Sequence, residues 1–288
     1  MKISEGYFRY LEHKTYYRIA GTGNTAKPAL VLLHGGPGST HNYFEVLDRL
    51  ADTDRQIIMY DQIGCGRSWL ENRKDLWNME TWTGELRALL EHLNIKEYHL
   101  LGQSWGGMLA LHWLLAEKPA NVRSVILSST LPSAALWSAE LHRMIKDLPA
   151  QEQEAIRAAE ESGNYTDPAY LAANEHFMAL HSFTMPDNAP ECIRRKKRFG
   201  TEAYETAWGP NEYTPSGTLK DFDVTDRLGE INVPALVISG TEDLCTPLIA
   251  RTLRDGIPGA RWELFEGCRH MAFVEETDRY CALLEEWM

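Results

Sequence analysis

The sequence lacks any continuous apolar stretch of the roughly 20 residues that a membrane-spanning helix needs. Residues 1–7 carry neither the apolar core nor the small-residue cleavage site of a secretion signal. Basic residues are scarce, with 29 Lys and Arg against 41 Asp and Glu, for a formal net charge of −12. Nucleic-acid phosphates are neutralised by a positive surface, which so acidic a chain is poorly suited to provide. We therefore expect a cytoplasmic protein that binds neither membranes nor nucleic acid.

Cysteine is also scarce, and the five cysteines are widely scattered. They are Cys65, Cys192, Cys245, Cys268 and Cys281. Zinc sites and thioredoxin-type redox motifs use closely paired cysteines such as C-x-x-C, and this chain has none. We therefore expect free thiols, as is usual in a reducing compartment, with no metal and no cofactor.

Short, nearly continuous apolar runs recur along the chain and predict parallel strands covered by helices on both faces. These runs are residues 29–33, 57–60, 98–101, 125–127, 235–238 and 262–265. Helices are predicted between them at about 80–93, 105–117 and 246–255. Residues 7–20 predict an antiparallel strand pair at the sheet edge. Strands that alternate with helices indicate the α/β class, with a mostly parallel central sheet.

This alternation breaks between about residues 132 and 233, where the sequence is polar and helical without a convincing buried strand. The strand pattern resumes at Pro234. A length of 288 residues suits either two domains or one α/β domain with a large insertion. We predict a core of residues 1–131 and 234–288, with residues 132–233 inserted as a helical cap.

Residues 102–106 form a G-x-S-x-G sequence with Ser104 at its centre. The pattern is weak by itself, but it directly follows a predicted strand and opens a predicted helix. This is the setting of a nucleophile elbow, in which a tight turn lifts a serine hydroxyl into a cleft. The sequence therefore predicts Ser104 as a nucleophile, the alternative being a glycine-rich turn that only joins strand to helix.

A serine nucleophile needs a histidine base and an acid that holds the histidine in place. On this kind of sheet the acid and then the histidine follow the serine along the chain. Asp243 follows the predicted strand at 235–240, and His270 follows the last predicted strand. Glu242 is a rival acid, and we favour Asp243 because it lies further into its loop.

The oxyanion of an acyl-transfer reaction needs two donors, usually backbone N–H groups. Trp105, the residue after the proposed nucleophile, is expected to supply one of them. Gly36, in the His-Gly-Gly-Pro-Gly sequence after the first buried strand, is expected to supply the other. The glycines allow a close backbone approach, and we include Gly35 as a substrate-binding residue.

Five ordered motifs together resemble the proline iminopeptidase family, the prolyl aminopeptidases of the α/β-hydrolase superfamily. They are HGGPG at residues 34–38, DQIGCGRS at 61–68, GQSWGG at 102–107, GTED at 240–243 with His270, and WGPNEY at 208–213. The resemblance extends from about residue 28 to the C-terminus. It implies an α/β-hydrolase fold and a serine peptidase that removes an unblocked N-terminal residue, often proline, from short peptides or amino-acid amides.

The resemblance further implies that glutamates of the cap hold the free α-ammonium of the substrate. Glu212 corresponds directly to the glutamate of the family's GPxEF segment. A carboxylate at that place would select an unblocked N-terminus. Glu175 is a looser match for a second ammonium ligand, and a plain helix-surface glutamate is the alternative for it.

Two features depart from the family's pattern. Ile63 stands where proline-selective members commonly have arginine, and residues 184–187 replace a segment that is more charged in many relatives. They leave open a broader aminopeptidase or amidase, nearer to the tricorn-interacting aminopeptidases. The alternative function is a carboxylesterase or lactonase with the same triad, and a third is a ligand-binding protein of this fold without turnover. The sequence does not specify an oligomeric state.

A run of five basic residues, 194–198, stands out within this acidic chain. Such runs can mark nucleic-acid binding or targeting. We expect instead a solvated helix face of the cap, paired with nearby acids.

Overall fold

The structure is a computed structural model that describes residues 1–22 and 27–288. Within these residues, eight strands form one sheet. They are β1 (Ile3–Tyr10), β2 (His13–Ala20), β3 (Ala29–Leu33), β4 (Ile57–Tyr60), β5 (Tyr98–Gln103), β6 (Val122–Ser128), β7 (Ala235–Gly240) and β8 (Arg261–Phe265). The order across the sheet is β1-β2-β4-β3-β5-β6-β7-β8. Strand β2 pairs antiparallel with β1 and with β4, and all other neighbours are parallel, which confirms the predicted sheet.

The α-helices of the described residues lie between and after these strands. They are α1 (Met79–His92), α2 (Trp105–His112), α3 (Ala134–Ile145), α4 (Ala150–Ser162), α5 (Pro168–His181), α6 (Glu191–Arg194), α7 (Thr201–Ala207), α8 (Pro247–Gly256), α9 (Ala272–Glu275) and α10 (Thr277–Trp287). A 3₁₀ segment of 13 residues occupies His41–Thr53, and shorter ones occupy Gly66–Ser68, Lys74–Leu76 and Thr225–Glu230. A π-helical turn, Trp113–Glu117, extends α2. No helix in the described part of the chain is both long enough and apolar enough to cross a membrane.

Helix boundaries follow from local capping. The Asn78 side chain accepts a hydrogen bond from the Thr81 N–H and caps α1, since the first N–H groups of a helix have no partner within it. Helix α8 begins with Thr246 as its cap and Pro247 in its first turn, where a missing N–H costs nothing. The helices predicted at 80–93, 105–117 and 246–255 correspond to α1, to α2 with its π turn, and to α8.

The core lies on both faces of the sheet. Every residue of β3, β5 and β7 is buried. In β3, Val31 and Leu33 join the hydrophobic cluster on one face, whereas Leu30 and Leu32 join the cluster on the other. Side chains alternate between faces along a strand, so a strand covered on both sides is apolar at every position.

The chain leaves the sheet after β6 and returns to it at β7. Between these strands lie α3 to α7, and none of the eight sheet strands. The two ends of this segment lie side by side: the Val224 N–H donates to the Pro132 carbonyl (2.9 Å), and the Ala134 N–H donates to the Phe222 carbonyl (2.8 Å). The insertion therefore departs and returns through adjacent backbones.

Candidate active site

Ser104 sits at the sharp turn between β5 and α2. Its backbone angles, φ 54° and ψ −123°, are unusual for a residue with a side chain. The turn is held because the Ser104 N–H donates to the Ser128 carbonyl (3.0 Å), while Thr130 Oγ1 donates to the Ser104 carbonyl (2.6 Å). A Cβ at Gly106 would collide with the Leu33 carbonyl, so helix and strand approach this closely only through glycine. The G-x-S-x-G pattern is thus explained by packing.

His270 and Asp243 are held together at the carboxyl ends of the strands. His270 Nδ1 donates to Asp243 Oδ1 at 2.7 Å, and Asp243 is fully buried. The N–H groups of Gly240 (3.2 Å) and Cys245 (2.9 Å) also donate to this carboxylate and fix its orientation. The neighbouring Glu242 is exposed, so the geometry favours Asp243 of the two rival acids.

The surroundings of His270 stabilise its protonated form. Burial disfavours the charged imidazolium, but the Asp243 carboxylate outweighs this, with smaller contributions from Glu212 and Glu275. As a result the pKa of His270 is raised above its ordinary value. The Trp137 ring packs edge-to-face against His270, and the centroids of the two rings are 5.9 Å apart. A histidine in this state suits proton transfer to and from a nearby hydroxyl.

A cavity of about 160 Å³ opens at Ser104 and His270, which we call the Ser104 cavity. Other residues in its wall include Gly35, Gly36, Tyr204, Glu212 and Lys197. Asp243 lies behind His270, fully buried, and is not in the wall. The structure thus brings Ser104, Gly35, Gly36, Glu212 and His270 of the predicted residues to one cavity.

Two backbone N–H groups beside Ser104 have no acceptor. Within residues 1–22 and 27–288, neither the Trp105 nor the Gly36 N–H donates a hydrogen bond. The Gly35 N–H, by contrast, donates to the Tyr43 hydroxyl at 2.5 Å. Free N–H groups next to a serine hydroxyl suit the stabilisation of a developing oxyanion.

Glu212 places a carboxylate in the same cavity. The Tyr204 hydroxyl donates to Glu212 Oε1 (2.8 Å), and the indole N–H groups of Trp137 (2.9 Å) and Trp208 (3.2 Å) both donate to the Glu212 backbone carbonyl. Burial raises the pKa of Glu212, with His270 and the Tyr204 hydroxyl opposing this rise. No cation of the described residues forms an ion pair with Glu212. The site therefore offers an unpaired carboxylate to a cationic group.

Glu175 does not reach the Ser104 cavity. It is exposed on α5 and is not in the cavity wall. The structure thus corresponds to the surface-glutamate alternative for Glu175 and leaves Glu212 as the carboxylate beside Ser104.

Comparison with known proteins adds to this geometry. The α/β hydrolase fold family matches residues 28–277. A proline iminopeptidase of Lactobacillus helveticus (strain DPC 4571) is 59% identical over 290 residues, which cover 100% of this chain and 98% of that protein. The chain belongs to the proline iminopeptidase family of α/β hydrolases. The resemblance and the fold predicted from the motifs are confirmed.

Solved structures of similar proteins agree with this membership. The crystal structure of a proline iminopeptidase from Mycobacterium smegmatis matches with a TM-score of 0.87 at 32% identity, covering 99% of this chain and 97% of that one. The crystal structure of VinJ matches with a TM-score of 0.90, also at 32% identity and with the same coverage.

The family's DQxGxGxS segment lies beside the site without entering the Ser104 cavity. Ile63, the position at which this chain departs from the proline-selective pattern, is buried, and its N–H donates to the Glu85 carboxylate (2.9 Å). Asp61 accepts hydrogen bonds from the His41 ring (2.6 Å) and from the Arg67 N–H (2.8 Å). Ile63 is therefore not part of the wall of the Ser104 cavity.

Sequence reasoning missed the residue that joins the three loops of the site. Gln103 Oε1 accepts a hydrogen bond from the Tyr43 hydroxyl (2.9 Å), which itself accepts one from Gly35. The Gln103 side-chain amide also donates to the His270 carbonyl, at a longer 3.4 Å. Gln103 precedes Ser104 directly, and this position in the family's nucleophile motif was the signal that could have singled it out.

The basic run is exposed, and Arg195 pairs with acids as predicted, but the prediction that the run forms a helix face is wrong. Only Arg194 belongs to a helix, the four-residue α6, and the chain continues beyond it without helical structure. Arg195 pairs with Glu45 at 2.6 Å, Arg198 lies 3.6 Å above the Trp69 ring, and Lys197 enters the wall of the Ser104 cavity. Helical periodicity could not reveal that a helix beginning after Pro190 would end so soon.

The described residues contain one buried cluster of potential metal ligands, formed by His34, Asp61 and Cys65. Their donor atoms lie within 4.8 Å of one another. Burial lowers the pKa of His34 to about 4, and its neutral ring accepts a hydrogen bond from the Gln62 N–H (3.0 Å). These contacts brace the loop that carries Gly35, which gives the cluster a structural explanation.

Proposed function

We propose that this protein is a serine aminopeptidase of the proline iminopeptidase type. It releases an unblocked N-terminal residue, proline or another that is often hydrophobic, from short peptides or amino-acid amides. The observation that carries the proposal is the unpaired carboxylate of Glu212 in one cavity with Ser104 and His270. The full-length relative named proline iminopeptidase supports it.

In the proposed reaction, His270 takes the proton of the Ser104 hydroxyl while Ser104 Oγ attacks the carbonyl carbon of the first residue. The N–H groups of Gly36 and Trp105 bind the oxyanion of the tetrahedral intermediate. The intermediate collapses as His270 gives its proton to the departing amine, leaving an aminoacyl ester on Ser104. Water, deprotonated by His270, then hydrolyses this ester and frees the enzyme. Asp243 orients His270 throughout.

Glu212 gives the reaction its exopeptidase character. Its carboxylate binds the α-ammonium of the substrate, and the Tyr204 hydroxyl holds that carboxylate in place. A blocked N-terminus would leave this buried carboxylate without its counter-charge, which disfavours binding.

We also propose that residues 132–233 form a cap over the site. The cap contributes Tyr204, Glu212 and Lys197 to the Ser104 cavity, and the catalytic groups come from residues 1–131 and 234–288.

A matched panel of substrates tests this function. Proline, alanine and phenylalanine 4-nitroanilides and amides are compared with their N-acetylated forms and with 4-nitrophenyl acetate. We expect turnover of free aminoacyl substrates, rejection of acetylated ones, and a loss of about 10⁴-fold or more in the Ser104→Ala variant. Wild-type rates in Ser104→Ala would refute the nucleophile, and equal use of free and acetylated substrates would favour the carboxylesterase or lactonase alternative.

A further inference from the structure

Lys197 lies where two cavities meet. It is in the wall of the Ser104 cavity and also in that of a larger cavity of about 590 Å³. The other wall residues of the larger cavity include Arg18, Thr40 and Asn42, none of which reaches Ser104. Among the described residues, Lys197 alone is in both walls. Its side chain therefore lies between the Ser104 cavity and the larger one.

The ammonium of Lys197 has no anionic partner. Among the described residues, no carboxylate pairs with it, and its ammonium lies 5.2 Å from the centroid of the Tyr43 ring. Its neighbour Arg195, by contrast, pairs with both Glu45 and Glu191. Desolvation lowers the pKa of Lys197, and the carboxylate of Asp61 opposes this. Lys197 is exposed and lies over an aromatic ring at the cavity wall, so its unpaired ammonium is accessible to an anion.

The Ser104 cavity thus contains two unpaired groups of opposite charge. The carboxylate of Glu212 influences the pKa values of His270 and Tyr204. The ammonium of Lys197 influences instead those of His34 and Cys65. Glu212 contacts the Tyr204 hydroxyl and Lys197 the Tyr43 ring, and among the described residues no ion pair joins Glu212 to Lys197, so the two charges can meet opposite ends of a short zwitterion.

We propose that Lys197 binds the free C-terminal carboxylate of a short peptide whose N-terminal ammonium is held by Glu212. The inference rests on the proposed aminopeptidase function and adds the ligand for the leaving side of the substrate. Each residue of an extended chain spans about 3.3–3.6 Å, so dipeptides and tripeptides differ in reach by one such step. The C-terminal carboxylate of a dipeptide or tripeptide lies on the leaving group. Lys197 therefore selects substrates whose leaving group carries a free carboxylate.

The larger cavity gives a longer leaving chain a place to lie. Its wall carries polar and charged side chains, among them Arg18, Asn42 and Glu45. The main chain of a departing peptide can form hydrogen bonds with such groups, whereas an arylamide leaving group offers fewer polar atoms.

The test compares prolylglycine with prolylglycinamide, which differ only in the terminal carboxylate. The wild-type protein should prefer the carboxylate form by about 10-fold or more in kcat/KM, since charge-assisted hydrogen bonds are about twice as strong as neutral ones. In Lys197→Met and Lys197→Gln this preference should vanish, with kcat/KM for prolylglycine falling about 10- to 100-fold. Turnover of prolylglycinamide should remain within about 2-fold. Lys197→Arg should retain the preference, because it keeps the charge.

Lys220→Met is the matched control, because Lys220 is exposed in the same inserted segment and lines neither cavity. It removes the same charge and should leave the preference unaltered. An unchanged preference in both Lys197 variants, or equal losses on the two substrates, would overturn the assignment of Lys197 while leaving the aminopeptidase function intact. If the wild-type protein cleaves neither of these dipeptides nor any free aminoacyl arylamide or amide of the panel above, the proposed function itself is refuted.

Discussion

The two sides of the Ser104 cavity are held in place by different means. On the core side, Ser104 and Asp243 are positioned by backbone N–H and carbonyl groups at the ends of parallel strands. On the inserted side, Glu212 is held by the side chains of Tyr204, Trp137 and Trp208. The core side fixes groups that react with one another, and the inserted side presents charges that lack a partner.

This difference separates two kinds of expected effect. Changes on the core side should slow every substrate alike, because they alter the reacting groups themselves. Changes on the inserted side should discriminate among substrates, because the unpaired charges act only on those that carry the opposite charge. A core-side change that discriminates among substrates, or an inserted-side change that slows all of them alike, would contradict this distinction.

The largest effect is expected on the core side, from Asp243→Asn. An asparagine cannot hold the Nδ1–H tautomer of His270, and we expect kcat to fall by about 10⁴-fold. The loss should be the same for proline 4-nitroanilide and for a 4-nitrophenyl ester, measured by steady-state kinetics. Glu242→Gln, at the exposed neighbouring acid, should remain near wild-type. Comparable losses in both variants would contradict the assignment of Asp243.

A smaller and selective effect is expected on the inserted side, from Glu212→Gln. Removal of the carboxylate should lower kcat/KM for free aminoacyl arylamides by about 10- to 100-fold, because a charge-assisted hydrogen bond to the ammonium is lost. Esters without an ammonium group should be nearly unaffected. The control is Glu175→Gln, which alters an exposed residue and should change neither rate. A uniform loss on both substrate types would place Glu212 with the core groups.

The pH dependence of the reaction links the two sides. The proposed base must be neutral, and the pKa of His270 is raised above its ordinary value of 6.5, so activity on an ester should fall as the pH drops below that raised value. Part of the rise comes from the Glu212 carboxylate. In Glu212→Gln the imidazolium loses this support, and the acid limb of kcat/KM should move to lower pH. An unmoved limb would show that the two groups are not electrostatically coupled.

The smallest effect on activity is expected for Glu85→Gln, in the core but outside the cavity wall. Burial raises the pKa of Glu85 from 4.5 to about 8 in the folded protein. Between these pH values the native state keeps the Glu85 proton, whereas the unfolded chain has released it. The contribution of protonated Glu85 to the free energy of unfolding is therefore full below about pH 4.5 and is lost as the pH rises toward 8. Glutamine mimics the neutral acid. The decrease in the free energy of unfolding between pH 5 and pH 8 should therefore be smaller in Glu85→Gln by roughly 1–4 kcal/mol. Denaturant unfolding at pH 5 and pH 8 measures it, and equal slopes in both proteins would contradict it.

The sequence predicted the core side well because main-chain geometry leaves a residue pattern. The tight turn at Ser104 requires glycine at Gly102 and Gly106, where a side chain would collide with neighbouring backbone. Strand ends likewise follow from continuous apolar runs, and these located the loops of Asp243 and His270. The decision between Asp243 and Glu242 depended on burial, which differs completely between adjacent residues of a loop and leaves little trace in the sequence.

The inserted side was predicted only where a family motif covered it. Glu212 lies in such a motif, whereas Tyr204 and Lys197 reach the cavity through tertiary contacts between short helices and loops. Lys197 was obscured further by its four basic neighbours, since all five are exposed and the sequence does not show which of them lines the cavity. Glu175 illustrates the converse case, because helical position alone could not tell an inward from an outward glutamate.

The two ends of the inserted segment adjoin each other, so the segment can be exchanged as one unit. The paired backbones at Pro132 and Val224, together with the bridge between Ser133 and Asp223, bring both junctions to one spot on the core. Exchanging the residues between these junctions for those of a relative would cut the chain at two points that already touch, leaving every strand of the sheet intact. Selectivity in this architecture could thus be inherited and replaced as a unit, while the hydrolytic machinery stays the same.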